Sequence, residues 1–206
     1  VYMREVQAEW MIKWGEHTAR GMDAEGKFLA LACAPAGGVR WLDPATGKVT
    51  GEAALAGASR VVLLGDGPQV LVASGKTLFE VAPEGKQRQV AMLPGTIGAL
   101  DPDPVRKETW AVVDGHLILR LDDNGRVAQR YGGTPRPQGP YNPKLFAGVN
   151  DVAADLQGGF YVGEPSVAPR RLARFDRKGN LLGQWIGGQS FYLNAAFDPY
   201  DATRLY

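Results

Sequence analysis

The chain has little of what most enzyme chemistry requires. Cys33 is the only cysteine among 206 residues, so an intrachain disulfide and a cysteine-based zinc site are both excluded. Lying in the apolar run Phe28–Cys33, it reads as a small buried side chain rather than a reactive thiol. The two histidines, His17 and His116, do not have the spacing of a metal pair. No apolar run approaches the roughly 20 residues that a bilayer span requires. The first residues lack the basic and hydrophobic regions of a signal peptide. Lys+Arg 23 against Asp+Glu 22 leaves no basic surplus, and no basic cluster interleaves with aromatics, so a nucleic-acid partner has no electrostatic footprint. Helical periodicity is nowhere sustained beyond about two turns, which argues against an α/β fold.

What the sequence has is turns. Gly 27 and Pro 14 punctuate short runs rich in Val, Leu, Phe, Tyr and Trp, the pattern of many short strands. One turn recurs as Leu42-Asp43-Pro44-Ala45-Thr46-Gly47, Val81-Ala82-Pro83-Glu84-Gly85, Leu121-Asp122-Asp123-Asn124-Gly125 and Phe175-Asp176-Arg177-Lys178-Gly179. Its glycines are spaced by 38, 40 and 54 residues. The first two steps match the length of a four-stranded propeller blade. The third is stretched by a Gly/Pro-rich insert, Gly132 to Phe146. A second turn precedes each of these by one hairpin, as in Asp155-Leu156-Gln157-Gly158.

The expected fold is therefore all-β, one β-propeller domain of four-stranded antiparallel blades. Four full blades are expected near 18–55, 58–94, 96–132 and 149–188. Residues 1–15 read as the last two strands of a partial blade and 191–206 as the first two of another. A fragment of a longer, six-bladed propeller accounts for both. Pairing of the two half-blades into a closed five-bladed ring is the other solution, since closure removes exposed sheet edges.

Apparent catalytic motifs dissolve on inspection. Gly21 to Lys27 fits the first seven positions of a phosphate-binding loop, but Phe28 stands where a Ser or Thr must reach magnesium. Ser74-Gly75-Lys76-Thr77 lacks the glycine five residues before Gly75. Asp114-Gly115-His116 could pair a carboxylate with an imidazole, yet no serine or cysteine nucleophile has a recognisable context. All three read as turns. In a propeller the loop between second and third strands and the loop between blades open on the same face. On that face the loop Gly163 to Arg171 is longer than its counterparts, and the Gly/Pro insert adjoins it. Binding groups collect on loops held by a rigid scaffold, so Arg170, Glu164, Tyr141 and Lys144 are the expected ligand contacts. Of the five tryptophans (10, 41, 110 and 185 among them), most lie within strands, where packing between blades is the expected role.

Val149 to Gly188 resembles the NHL repeat. The matching residues are Asp151, Val152, Ala153, Asp155, Gly158, Tyr161, Val162, Arg171, Phe175, Asp176, Gly179 and Leu182. This resemblance implies a non-enzymatic binding scaffold, often secreted in bacteria, hence an extracellular or periplasmic setting. It would hold a protein, glycan or small ligand on one face, with no cofactor. A second resemblance is to SMP-30/gluconolactonase-like propellers, which share a similar Asn-Asp-Val-x-x-Asp-x-x-Gly-x-x-Tyr stretch. It implies a metal-dependent lactone hydrolase with calcium or another divalent cation in the central channel. Asn150 would be a ligand, with Asp151 and Asn194 as further oxygen donors. Counted back from the turn aspartates, however, Asn194 aligns with Asp151 and not with Asn150.

Overall fold

Among the described residues the short apolar runs bounded by these turns form strands. The computed structural model describes residues 18–186 apart from 26, 35–36, 65–66, 104, 137–140 and 166–168. The partial blades expected over 1–15 and 191–206 lie outside the described residues, as does Asn194. The described residues contain strands and no helix. β1 (Thr18–Glu25), β2 (Phe28–Ala34), β3 (Val39–Leu42) and β4 (Val49–Ala53) form the first sheet. β5 (Ala58–Leu63), β6 (Val70–Ser74), β7 (Thr77–Val81) and β8 (Gln87–Met92) form the second. β9 (Ile97–Asp103), β10 (Glu108–Val113), β11 (Leu117–Leu121) and β12 (Val127–Gly132) form the third. β13 (Asp151–Ala154), β14 (Phe160–Glu164), β15 (Arg171–Phe175) and β16 (Leu181–Ile186) form the fourth. Each is an antiparallel meander in chain order. The first strands line up side by side, β1 against β5, β5 against β9 and β9 against β13. The result is a row of propeller blades.

The recurrent turn closes the third and fourth strands of each blade. Gly47, Gly85, Gly125 and Gly179 all take positive φ (68°, 86°, 75° and 83°), the left-handed region that a side chain disfavours. Where the turn starts with aspartate, the carboxylate caps it. Asp122 Oδ1 accepts from the Asn124 and Arg126 amides at 3.0 and 2.8 Å, and Asp176 Oδ1 from Lys178 and Asn180 at 2.9 and 2.8 Å. Hydrogen bonds from Asn180, its side chain first, hold the Asp176 carboxyl below its ordinary range. Ala82 has no such group, yet the Gly85 amide still donates to its carbonyl at 2.9 Å and the turn survives.

Period-two alternation explains why the middle strands are apolar throughout. In β6, Val70 and Val72 face the layer between the first and second sheets, whereas Leu71 and Ala73 face the layer between the second and third. In β10, Ala111 and Val113 join that second layer, and Trp110 and Val112 join the layer between the third and fourth sheets. A strand buried on both faces reads as a continuous hydrophobic run. No blade can bury both faces alone, so each depends on its neighbours. Trp41 and Trp110 are fully buried between blades, the role expected of them, but Trp185 on β16 is half exposed. The outermost strands β8 and β12 are largely exposed and polar, which blunts their open edges.

Polar contacts tie successive blades together. Trp41 Nε1 donates to the Pro68 carbonyl at 2.6 Å, Arg60 Nε to the Gly98 carbonyl at 2.5 Å, and the Ala154 amide to Asp101 Oδ2 at 2.6 Å. Between the third and fourth blades, Glu108 receives Arg120 Nη1 at 2.5 Å and Arg177 Nη1 at 2.8 Å. Burial alone would raise the Glu108 carboxyl, but Arg177 and Arg120 together outweigh it and hold it below the usual carboxylate range.

Candidate functional site

The third and fourth blades are joined by the longest connection among the described residues, and the fourth blade carries the long loop between its second and third strands. Both lie at the same end of the sheets. A buried ion pair binds them together. Glu164 ends β14 and Arg171 begins β15, and the two are direct partners across the strands. Both side chains are fully buried, with Arg171 Nε donating to Glu164 Oε2.

The remaining donors of Arg171 are spent on the insert. Nη1 donates to the Pro143 carbonyl at 2.9 Å and to Tyr141 Oη at 2.7 Å, and Nη2 to the Leu145 carbonyl at 3.0 Å. Glu164 Oε1 accepts from the Ala147 amide at 2.7 Å and lies 3.5 Å from Arg136 Nη1. A bridge between Pro135 and Phe146 closes the insert on itself, and Phe146 packs edge-on against Phe175 at 5.4 Å. A planar guanidinium with five donors suits this work, since it can satisfy several carbonyls converging from one loop. The long connection is thus stapled to the blade through side chains from β14 and β15.

The expected contacts take different places in this arrangement. Glu164 is its buried acidic centre, with both oxygens engaged from within the chain. Tyr141 is partly exposed, its ring 5.7 Å from the Arg136 guanidinium and 5.5 Å from that of Arg171. Lys144 is exposed on the insert, where the Asn142 side chain accepts from its amide at 3.0 Å. Arg170 is half-exposed beside Arg171. Sequence reasoning missed Arg136 and gave Arg171 only its place in the repeat. The signal for Arg171 was present, because Glu164 and Arg171 flank the loop symmetrically at strand ends. Arg136 had none, being brought in by the fold of the insert.

The electrostatic character of this sector follows by counting. The insert (133–150) and the loop with its flanking strand ends (164–171) contribute Arg136, Lys144, Arg170 and Arg171 against Glu164, or +3, while Asp151 and Asp155 between them bring 133–171 as a whole to +1. The whole chain carries +1. The surplus is thus confined to the two loops, and of its cations Lys144 and Arg170 reach the surface.

Two other candidates resolve differently. Asp114 and His116 do not form a carboxylate–imidazole pair: Asp114 Oδ1 accepts from the Thr96 amide at 2.9 Å, and His116 Nδ1 donates to the Asp114 carbonyl at 2.8 Å. Asn150 precedes β13, and its Oδ1 is buried without a hydrogen-bond partner. Asp151 is half-buried and engaged within the protein. Among the described residues no group of three or more His, Cys, Asp or Glu side chains could hold a metal ion. Calcium takes roughly six to eight oxygens, of which Asn150 Oδ1 would supply one. No helix among the described residues is long and apolar enough to cross a membrane.

No protein-family model and no curated protein matches the sequence. Solved structures do. The chain is similar to a hydrazine synthase chain from Kuenenia stuttgartiensis, with a TM-score of 0.65 and 14% identity, covering 88% of this chain and 53% of that one. It is similar also to a protein of unknown function from Bacteroides caccae, with a TM-score of 0.65 and 14% identity, covering 86% of this chain and 70% of that one. The chain thus spans about half the length of the hydrazine synthase chain. At this identity the likeness carries the architecture and nothing of the chemistry: the protein has a β-propeller fold.

Proposed function

We propose that the chain is a non-enzymatic, NHL-type propeller module that binds a protein, glycan or small ligand through the loop face of its third and fourth blades. The observation that carries this reading is the stapled insert. The Glu164–Arg171 pair anchors a long loop that presents Lys144, with the partly exposed Tyr141 ring above Arg171 and with Arg170 on the adjoining loop. Loops on a rigid scaffold bind without first losing much conformational entropy. The local surplus of positive charge favours partners bearing carboxylate, sulfate or phosphate groups. Orphaned Asn150 Oδ1 keeps one donor in place for the second reading, a metal-dependent lactone hydrolase of the SMP-30/gluconolactonase type.

Binding to arrays of anionic and neutral glycans and of acidic peptides tests the proposal, comparing the native chain with the double variant Lys144→Glu, Arg170→Glu. Selective binding of anionic members that the variant loses, at unchanged melting temperature, is the expected result. Equal binding by both proteins would overturn the assignment of the face. Stoichiometric calcium uptake by chelator-washed protein, with lactone hydrolysis, would favour the second reading instead.

A further inference from the structure

A second recognition site is suggested at the opposite end of the sheets by comparing one strand position from blade to blade. The residue immediately before each recurrent turn faces the following blade wherever that blade is described. It is Trp41 in the first sheet, Glu80 in the second and Arg120 in the third. Trp41 fills the layer between the first and second sheets, buried to 1%. Arg120 fills the corresponding place between the third and fourth, bound to Glu108. Glu80 does neither. It turns along its own sheet to Arg88 on β8, and a cleft of about 290 Å³ opens between the second and third sheets.

Leu64, Leu71, Leu78, Val90 and Leu121 line this cleft. Its outer end is shut where Gly125 approaches Val90 so closely that an added Cβ would lie 2.6 Å from a valine methyl. Packed sheets stand roughly 10 Å apart, so the space is a slot, and its volume sits at the small end of ligand pockets, which start at roughly 300 Å³. An indole ring already occupies the equivalent slot one blade earlier.

The rim supplies the polar half of the argument. Glu80 pairs with Arg88, Asp103 with Arg106, and Glu108 with Arg120 and Arg177. Asp122 accepts from the turn amides, and Asp123 from the Asn124 side chain at 2.8 Å. Lys107 is exposed on the rim and has no hydrogen bond or ion pair among the described residues. It sits at φ 53°, a left-handed conformation uncommon for any residue but glycine.

We propose that the cleft between the second and third blades binds a planar aromatic carboxylate, its ring between the sheets in the place Trp41 takes in the preceding interface and its carboxylate on Lys107. This site is independent of the loop face and does not rest on the reading given there.

Titration of the full chain with indole-3-acetate, indole and tryptamine, followed by calorimetry and by chemical shifts of the Leu78, Val90 and Leu121 methyls, tests it. Saturable binding of indole-3-acetate, about tenfold tighter than indole, with tryptamine weakest and shifts confined to those methyls, is expected. Glu80→Trp should fill the slot, raise the melting temperature and abolish binding. Lys107→Asn keeps a residue that tolerates positive φ and should weaken indole-3-acetate about tenfold while leaving indole unchanged. Should Glu80→Trp fail to fold, the Lys107→Asn comparison decides. Absence of saturable binding, tryptamine binding as well as indole-3-acetate, or an unchanged affinity in Lys107→Asn would each overturn the proposal.

Discussion

Replacing Glu164 by Gln removes one charge and almost no volume from the fourth blade. Arg171 is then left fully buried with its anionic partner gone, while its bonds to Tyr141, Pro143 and Leu145 remain. Breaking a buried pair in this way costs about 3–5 kcal/mol. For a chain of this size each kcal/mol moves the midpoint by roughly 2–4 °C, so the melting temperature should fall by about 6–20 °C. The insert should loosen first, because Glu164 Oε1 also holds the Ala147 amide. Limited proteolysis should therefore cut between 133 and 149 faster in the variant. Replacing both partners, Glu164→Leu with Arg171→Met, removes the stranded charge but leaves the Pro143 and Leu145 carbonyls and the Ala147 amide without these partners, so the insert should stay as open to proteolysis as in Glu164→Gln. A Glu164→Gln protein that melts within about 2 °C of the native chain, with its insert equally resistant, would refute the staple.

Two further effects should be measurable. Because its folded pKa is lowered, Glu108 contributes stability that is present above the unfolded carboxyl pKa and is lost as pH falls through the folded value. Glu108→Gln should lower stability at neutral pH and flatten the decline on the acid side below about pH 5, as followed by denaturant midpoints across pH. An unchanged acid slope would contradict the interblade role of this group. Gly159 has no room for a side chain, since an added Cβ would lie 2.0 Å from the Phe175 carbonyl oxygen. Gly159→Ala should cost about 1–3 kcal/mol by forcing β14 away from β15, visible in thermal unfolding; a neutral substitution would show that the strands yield freely.

The blade repeat was legible because its turns are local. Aspartate three or four residues before a left-handed glycine specifies a hairpin regardless of what packs against it, as the Asp122 and Asp176 carboxylates show. Even the unit lacking the aspartate kept its glycine, and Gly85 marks the turn that Ala82 cannot cap. The two long loops were legible in the sequence, and the ion pair that ties them together was not. A long loop between charged residues points to a binding face, but whether Glu164 meets solvent or a buried guanidinium depends on where residues 136 to 147 return. That return is nonlocal. The same applies to the cleft, since Trp41 and Glu80 align by turn counting, whereas the void appears only once two sheets are packed. Asp114 and His116 fail as a pair for a local reason: positive φ at Asp114 carries its carboxylate to the Thr96 amide.

Photo-crosslinking tests most directly whether the loop face is where the molecule meets its partner. A benzophenone side chain replaces Lys144 on the insert in one protein and Lys48, exposed on the opposite face and away from the cleft, in another, and each is irradiated with the anionic array member that binds best. Adducts from position 144 and none from 48 are predicted. Adducts from 48 alone, or equally from both, would contradict the account.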